Sequence, residues 1–183
     1  TGYGSKSYRK YILGILLTVY IFNFIDRTII NILTEPIKES FGVEDWQMGL
    51  LGGPAFAILY TFVGIPIARF SERNHRVWII AASVALWSLM TVLCGFAVSF
   101  FALFLFRIGV SIGEAGCSPP ANSIIADYFV PKERSTAVSV YALGIPLGNM
   151  VAYVFGGFVV GSLDGATIGA MFSSWNWTWA SGL

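Results

Sequence analysis

FALFLFRIGVSIGEA, residues 101–115, decides the fold. The run continues with few polar residues to Tyr128, and a helix needs only about 20 apolar residues to cross a hydrocarbon core of ~30 Å. Within it stand two charges, Arg107 and Glu114. A charge at bilayer depth costs ~2.5–3.5 kcal/mol on insertion scales unless it is paired or wetted. Working outward, the first apolar stretch carries another two, Asp26 beside Arg27. These four side chains are therefore the first functional candidates.

The composition agrees with a membrane reading. Apolar residues make up 56% of the chain and charged ones 11%, and the mean hydropathy is +0.71, well outside the soluble range. Five spans can be drawn, at about 11–33, 47–68, 77–98, 101–128 and 136–162. A sixth begins near Trp175, where Trp175, Trp177 and Trp179 resemble an interfacial aromatic belt. It is cut short at Leu183, and with a start at Thr1 this predicts a piece of a longer protein. The first apolar run lacks a small-residue cleavage site, which predicts a retained helix rather than a removed signal peptide.

Basic residues set an orientation, because short loops rich in Lys and Arg stay in the cytoplasm. Lys6, Arg9 and Lys10 precede the first span, Arg69, Arg73 and Arg76 follow the second, and Lys132 and Arg134 follow the fourth, all on one side. The other side has Lys38 among Glu35, Glu39, Glu44, Asp45 and Asp164. The expected protein is a multi-pass one of a bacterial inner or plasma membrane with a cytoplasmic N-terminus. A net charge of +1, spread over loops, offers no nucleic-acid surface.

Chemical signatures are sparse. Cys94 and Cys117 lie in apolar helices and read as small hydrophobes, and the single His75 sits in a basic loop. No metal site, no cofactor and no catalytic motif is expected, so an enzyme reading has little support. Small residues at four-residue spacing, Gly49/Gly53, Gly109/Gly113 and Gly144/Gly148, predict closely packed helices. Pro54, Pro66, Pro119, Pro120 and Pro146 predict breaks in the hydrogen-bond ladder.

Arg107 and Glu114, two helical turns apart, project from nearly one face, whereas Asp26 and Arg27 point about 100° apart. One wet face of the fourth span is implied. Pairing Arg27 with Glu114 would balance one buried charge and leave Asp26 free to titrate. Static ion pairs that specify helix register are the competing reading. Stability alone is a weak reason to keep such pairs, since replacing them with apolar residues is often harmless.

These residues together resemble the N-terminal half of a major facilitator superfamily transporter, and more narrowly its spinster-like branch, which carries lysophospholipids and sphingosine phosphate. The resemblance runs from Phe22 to about Trp179. It rests on Phe24-Ile25-Asp26-Arg27, on the Arg107 to Ala115 run, on Ile145-Pro146-Leu147-Gly148 and on Trp175-Asn176-Trp177. The superfamily's loop motif Gly-x-x-x-Asp-Arg-x-x-Arg is present as Ala68-x-x-x-Glu72-Arg73-x-x-Arg76, with Ala and Glu replacing Gly and Asp. The fold so implied is all-α: a six-helix half-bundle over residues 1–183, five helices complete and the sixth truncated, with the C-terminal half absent.

The resemblance also implies a mechanism, alternating access about a midplane site. Arg27 and Arg107 would bind an anionic amphiphile and Asp26 or Glu114 would couple transport to protons. Desolvation and a nearby Arg act in opposite senses on an acid's proton affinity, so rocking that changes either would bind and release a proton. Glu72, Arg73 and Arg76 with Asp127 would latch the outward-facing state. Partners would be the substrate, protons and the bilayer, with a functional monomer. A general organic-anion or drug carrier of the same superfamily is the alternative, and a non-transporting membrane interaction protein the alternative of another class.

Overall fold

The computed structural model describes residues 4–73 and 75–162. The side chains of Ala68, Glu72 and Arg73, and the whole chain from residue 163 on, including Asp164 and the sixth-span entrance at Trp175, Trp177 and Trp179, lie outside the described residues. Among the described residues every regular element is a helix. In order they are α1 (Lys6–Ile32), α2 (Thr34–Phe41), α3 (Asp45–Gly52), α4 (Pro54–Arg73), α5 (Arg76–Gly95), α6 (Phe100–Ala115), α7 (Ser118–Tyr128), α8 (Pro131–Ala142) and α9 (Gly144–Ser162).

Local chemistry explains where these helices start and stop. Ser5 and Ser99 cap α1 and α6, each hydroxyl accepting from a backbone N–H three residues on at 3.2 Å. At α3, Glu44 and Gln47 form a reciprocal capping box. Gly42 ends α2 at φ +61°, a left-handed conformation that glycine adopts without penalty. Three of the spans drawn from the sequence are interrupted, and proline accounts for two of the breaks. Pro119 cannot donate to the carbonyl of Ala115, the last residue of α6, nor Pro146 to that of Ala142, the last of α8. Each helix stops there and restarts within a few residues. The second span breaks at Gly53, immediately before Pro54.

Four stretches are each long and apolar enough to cross a membrane: α1, α5, α6 with α7, and α8 with α9, between 20 and 29 residues. α4 has 20 residues and continues as one helix through its internal Pro66. The main packing pairs are α1 on α9, α5 on α6, and α4 on α6. Large apolar side chains cover the outside, with Phe62, Trp78, Phe101 and Phe158 each more than two-thirds exposed, as a lipid solvent demands.

Glycines set the close approaches. A β-carbon on Gly148 would lie 2.6 Å from Phe24 Cβ and 2.7 Å from the Ile21 carbonyl oxygen, so α9 touches the α1 backbone there. One on Gly113 would lie 2.7 Å from Trp87 Cβ and 2.8 Å from the Trp87 backbone nitrogen. The expectation for Gly49/Gly53 needs correction. Gly49 meets nothing within 4 Å, and Gly53 is crowded only by the Gly49 carbonyl of its own chain segment. That pair marks the α3–α4 break rather than a helix–helix seam.

The interior is layered. One apolar cluster, with Leu13, Leu16, Ile125 and Tyr141, fills the end nearer the N-terminus. A second, with Ile30, Ile37, Met48, Leu51 and Leu103, fills the other end. Between them lie the buried polar side chains Asn23, Asp26, Thr28, Ser83, Arg107, Ser111 and Glu114. Helix seams made by backbone-to-side-chain contact predict that Gly148→Ala and Gly113→Ala each destabilise by about 1–3 kcal/mol through overpacking. Gly14→Ala, with nothing within 4 Å of the added carbon, should be neutral or stabilise by about 0.5–1 kcal/mol. Thermal unfolding of the three variants in detergent checks the order, and equal losses at all three sites would refute it.

Candidate functional site

The four intramembrane charges meet as two crossed pairs between α1 and α6. Arg107 Nη1 donates to Asp26 Oδ2 at 2.9 Å, and Arg27 Nε donates to Glu114 Oε2 at 2.5 Å. Adjacent residues on α1 thus engage residues seven apart on α6. The 100° between Asp26 and Arg27 sends one side chain toward α5 and the other toward α4, and the long guanidiniums bridge the remaining distance. The Arg27–Glu114 partnership is the one that charge balance suggests from the sequence.

Asp26, expected from the sequence to be left free to titrate, is held by two donors. Besides Arg107 it accepts from Thr91 Oγ1 of α5 at 2.9 Å. The correction has a plain cause: an acid at this depth without donors would be an uncompensated buried charge. The expected wet face of α6 is also dry here, since Arg107 is 4% exposed and Glu114 fully buried. Arg27 differs from Arg107 in having a side chain that is 28% exposed.

Around Arg27 the surroundings are aromatic. Its guanidinium carbon lies 4.6 Å from the Tyr60 ring centroid and 5.5 Å from that of Phe24. Both cations are attracted to aromatic faces, but only the planar guanidinium can also lie flat on them. The Tyr60 hydroxyl is 3.0 Å from Ser118 Oγ, and Tyr20 stacks on Tyr141 with centroids 4.3 Å apart. Glu114 Oε1 has no hydrogen-bond partner among the described residues. The site is a part-exposed cation between aromatic rings, anchored to a buried acid that has spare acceptor capacity.

Sequence reasoning missed Thr91, Tyr60 and Ser118. Thr91 and Ser118 are lone hydroxyls in apolar stretches, a weak signal that could have marked them. Tyr60 had none, because aromatics are common in such helices. The same applies to Thr28 and Asn149, whose 2.7 Å hydrogen bond ties α1 to α9 directly beside the charges.

At the end nearer the N-terminus, Arg76 Nη1 donates to Asp127 Oδ2, linking the start of α5 to α7. Glu72 and Arg73 of the same motif have side chains outside the described residues. Nearby, Arg9 pairs with Glu133 at 2.9 Å, and Arg134 Nη2 donates to the Ala126 carbonyl at 2.7 Å.

Comparison with known proteins places this geometry. The Major Facilitator Superfamily profile matches residues 16–182. The chain is similar to a bacterial homologue of the human lysosomal transporter Spinster, solved inward-facing and unoccupied, with 51% identity and a TM-score of 0.83, over 98% of this chain and 38% of that one. It is 38% identical to an MFS-type efflux pump of Mycolicibacterium smegmatis over 84% of this chain and 36% of that protein. It is 35% identical to protein spinster of Drosophila melanogaster, over 78% of this chain and 23% of that protein. The chain thus spans between 23% and 38% of the length of these relatives. With its all-helical bundle and its matched region, it belongs to the Major Facilitator Superfamily as a spinster-like member, and forms the N-terminal half of that fold.

Proposed function

We propose that the full-length protein is a secondary active transporter, a carrier rather than an enzyme, that moves an anionic amphiphile of the lysophospholipid or sphingosine-phosphate kind by alternating access coupled to protons. The observation that carries this reading is Arg27: part-exposed, flanked by Tyr60 and Phe24, and paired with the fully buried Glu114. A phosphate or carboxylate can engage guanidinium bidentately, whereas Glu114 holds Arg27 through one oxygen, so such a ligand can compete for it. An acyl tail would lie on the aromatic wall of Tyr20, Phe24, Tyr60 and Tyr141.

Competition at Arg27 supplies the coupling. When substrate takes the guanidinium, Glu114 loses its cation in a dry setting and takes up a proton. When substrate leaves, Arg27 returns and the proton is released. Asp26 and Arg107, with Thr91, form the fixed pair of the four, so they position α1 and α6 rather than exchange. Asp26 is the secondary candidate for a proton and Arg107 for the head group, should rocking open their pair. The N-terminus is cytoplasmic in this reading, in a bacterial inner or plasma membrane, and one full-length chain is the working unit.

The Arg76–Asp127 pair fits a latch at the cytoplasmic end. Its side chains are 28% and 51% exposed, so the pair alone contributes only about 0–1 kcal/mol and needs Glu72 and Arg73 to act as a network. A second reading, a general organic-anion or drug carrier, is favoured by the similarity to a protein named as an efflux pump.

Three outcomes test these assignments. In proteoliposomes of the full-length protein, Glu114→Gln should abolish proton-driven accumulation of labelled lysophospholipid while leaving counterflow exchange intact; accumulation retained in that variant would exclude Glu114 as the coupling acid. Arg27→Lys keeps the charge but loses the planar, stacked geometry, so lysophospholipid affinity should fall about 10–100-fold, as for loss of a charged hydrogen bond. Unchanged affinity would remove Arg27 from the binding site, and transport of a small organic acid alone would favour the second reading. Asp127→Asn should shift the inward/outward ratio by no more than about fivefold, read by spin-label distances across the cytoplasmic end, and a much larger shift would mean that the pair acts by itself.

A further inference from the structure

A cleft separate from the transport site opens at the end of the bundle nearer the N-terminus, between the first turns of α1 and the start of α8. Its volume is about 670 Å³, within the usual range for small-molecule sites. Its upper rim is basic, with Lys6, Lys10 and Lys132, and its floor is apolar, with Leu13, Leu17 and Val140. Arg9 also lines it but is already engaged, bound to Glu133 at 2.9 Å and lying 6.0 Å over the Phe129 ring. Among the described residues Lys6, Lys10 and Lys132 have no carboxylate partner, and all three are exposed. An added β-carbon at Gly14 would meet nothing within 4 Å.

Three ammonium groups above an apolar slot, at the point where α1 enters its membrane span, match one kind of ligand. A soluble anion would use the lysines and leave the slot empty. A neutral lipid would use the slot and leave the lysines without a counter-charge. Basic pockets between helices on the cytoplasmic side suit the head groups of anionic lipids, whose tails are already at the right depth. We propose that this cleft binds an anionic phospholipid of the cytoplasmic leaflet, with its phosphate among Lys6, Lys10 and Lys132 and one acyl chain along Leu13, Gly14 and Leu17. Such a lipid would pin the first turn of α1 to α8. The site rests on the cytoplasmic N-terminus proposed above but not on what the protein transports.

The test uses full-length protein in detergent, with lipid retention read by native mass spectrometry against phosphatidylglycerol and phosphatidylcholine of identical chains. Wild type should retain phosphatidylglycerol preferentially, and the triple variant Lys6→Gln, Lys10→Gln, Lys132→Gln should lose on the order of 100-fold in that preference. Gly14→Trp, which fills the slot with the lysines intact, should also lose it, and it keeps the test decisive if the triple variant fails to fold. Arg69→Gln, outside the cleft, should change nothing, and inorganic phosphate should not displace the lipid. Equal retention of the two lipids by wild type, full preference in the triple variant or in Gly14→Trp, an equal loss in Arg69→Gln, or displacement by phosphate would each overturn the proposal.

Discussion

Two guanidinium–carboxylate pairs buried in an apolar bundle are the constraint on which the rest depends. Breaking such a pair from one side leaves an uncompensated charge and costs about 3–5 kcal/mol, far more than any single apolar contact between helices in lipid. Because Asp26 and Arg27 are neighbours, one rotation of α1 must satisfy both bonds together. Turning α1 by one residue would swing its side chains by about 100° and lose both at once. Thr91 extends the same constraint to α5. The charges therefore fix helix rotation in a solvent that has no hydrophobic preference between one apolar face and another.

Close backbone approach makes that constraint attainable. Gly144, Gly148 and Gly156 bring α9 against Tyr20, Phe24 and Ile32 of α1, and Gly109, Gly113 and Gly116 bring α6 against Met90, Trp87 and Ser83 of α5. α1 is thus held by a glycine-lined partner, and α6 presents its own glycines to α5. Apolar clusters close both ends of the polar layer. In a drier surrounding a charge-assisted hydrogen bond is electrostatically stronger than in water.

The two pairs differ in a way that divides their labour. Asp26 and Arg107 are 9% and 4% exposed, with Thr91 in place as a second donor to the acid. Glu114 is fully buried, but its partner Arg27 is 28% exposed and reaches an aromatic wall. One pair is enclosed on both sides; the other has an open side where a competing anion can approach. That difference, more than the presence of charge, is what the proposed exchange at Arg27 rests on.

The sequence by itself determined that the chain is helical and membrane-spanning, where the four costly charges lie, and that Arg27 and Glu114 suit one another. Those conclusions follow from apolar run length, the penalty for a buried charge and helical periodicity, all of which are local. The loop motif likewise pointed to Asp127 as a partner for its basic residues, and Arg76 meets it. Tertiary structure alone decided that Asp26 is taken by Arg107 and Thr91, that Arg27 lies over the Tyr60 ring, that Gly49 and Gly53 mark a break instead of a seam, and that three lysines share one cleft. A residue's depth and azimuth can be read along its own helix, but its partners depend on which helices are neighbours and how closely their backbones approach, and those distances arise only when the helices pack.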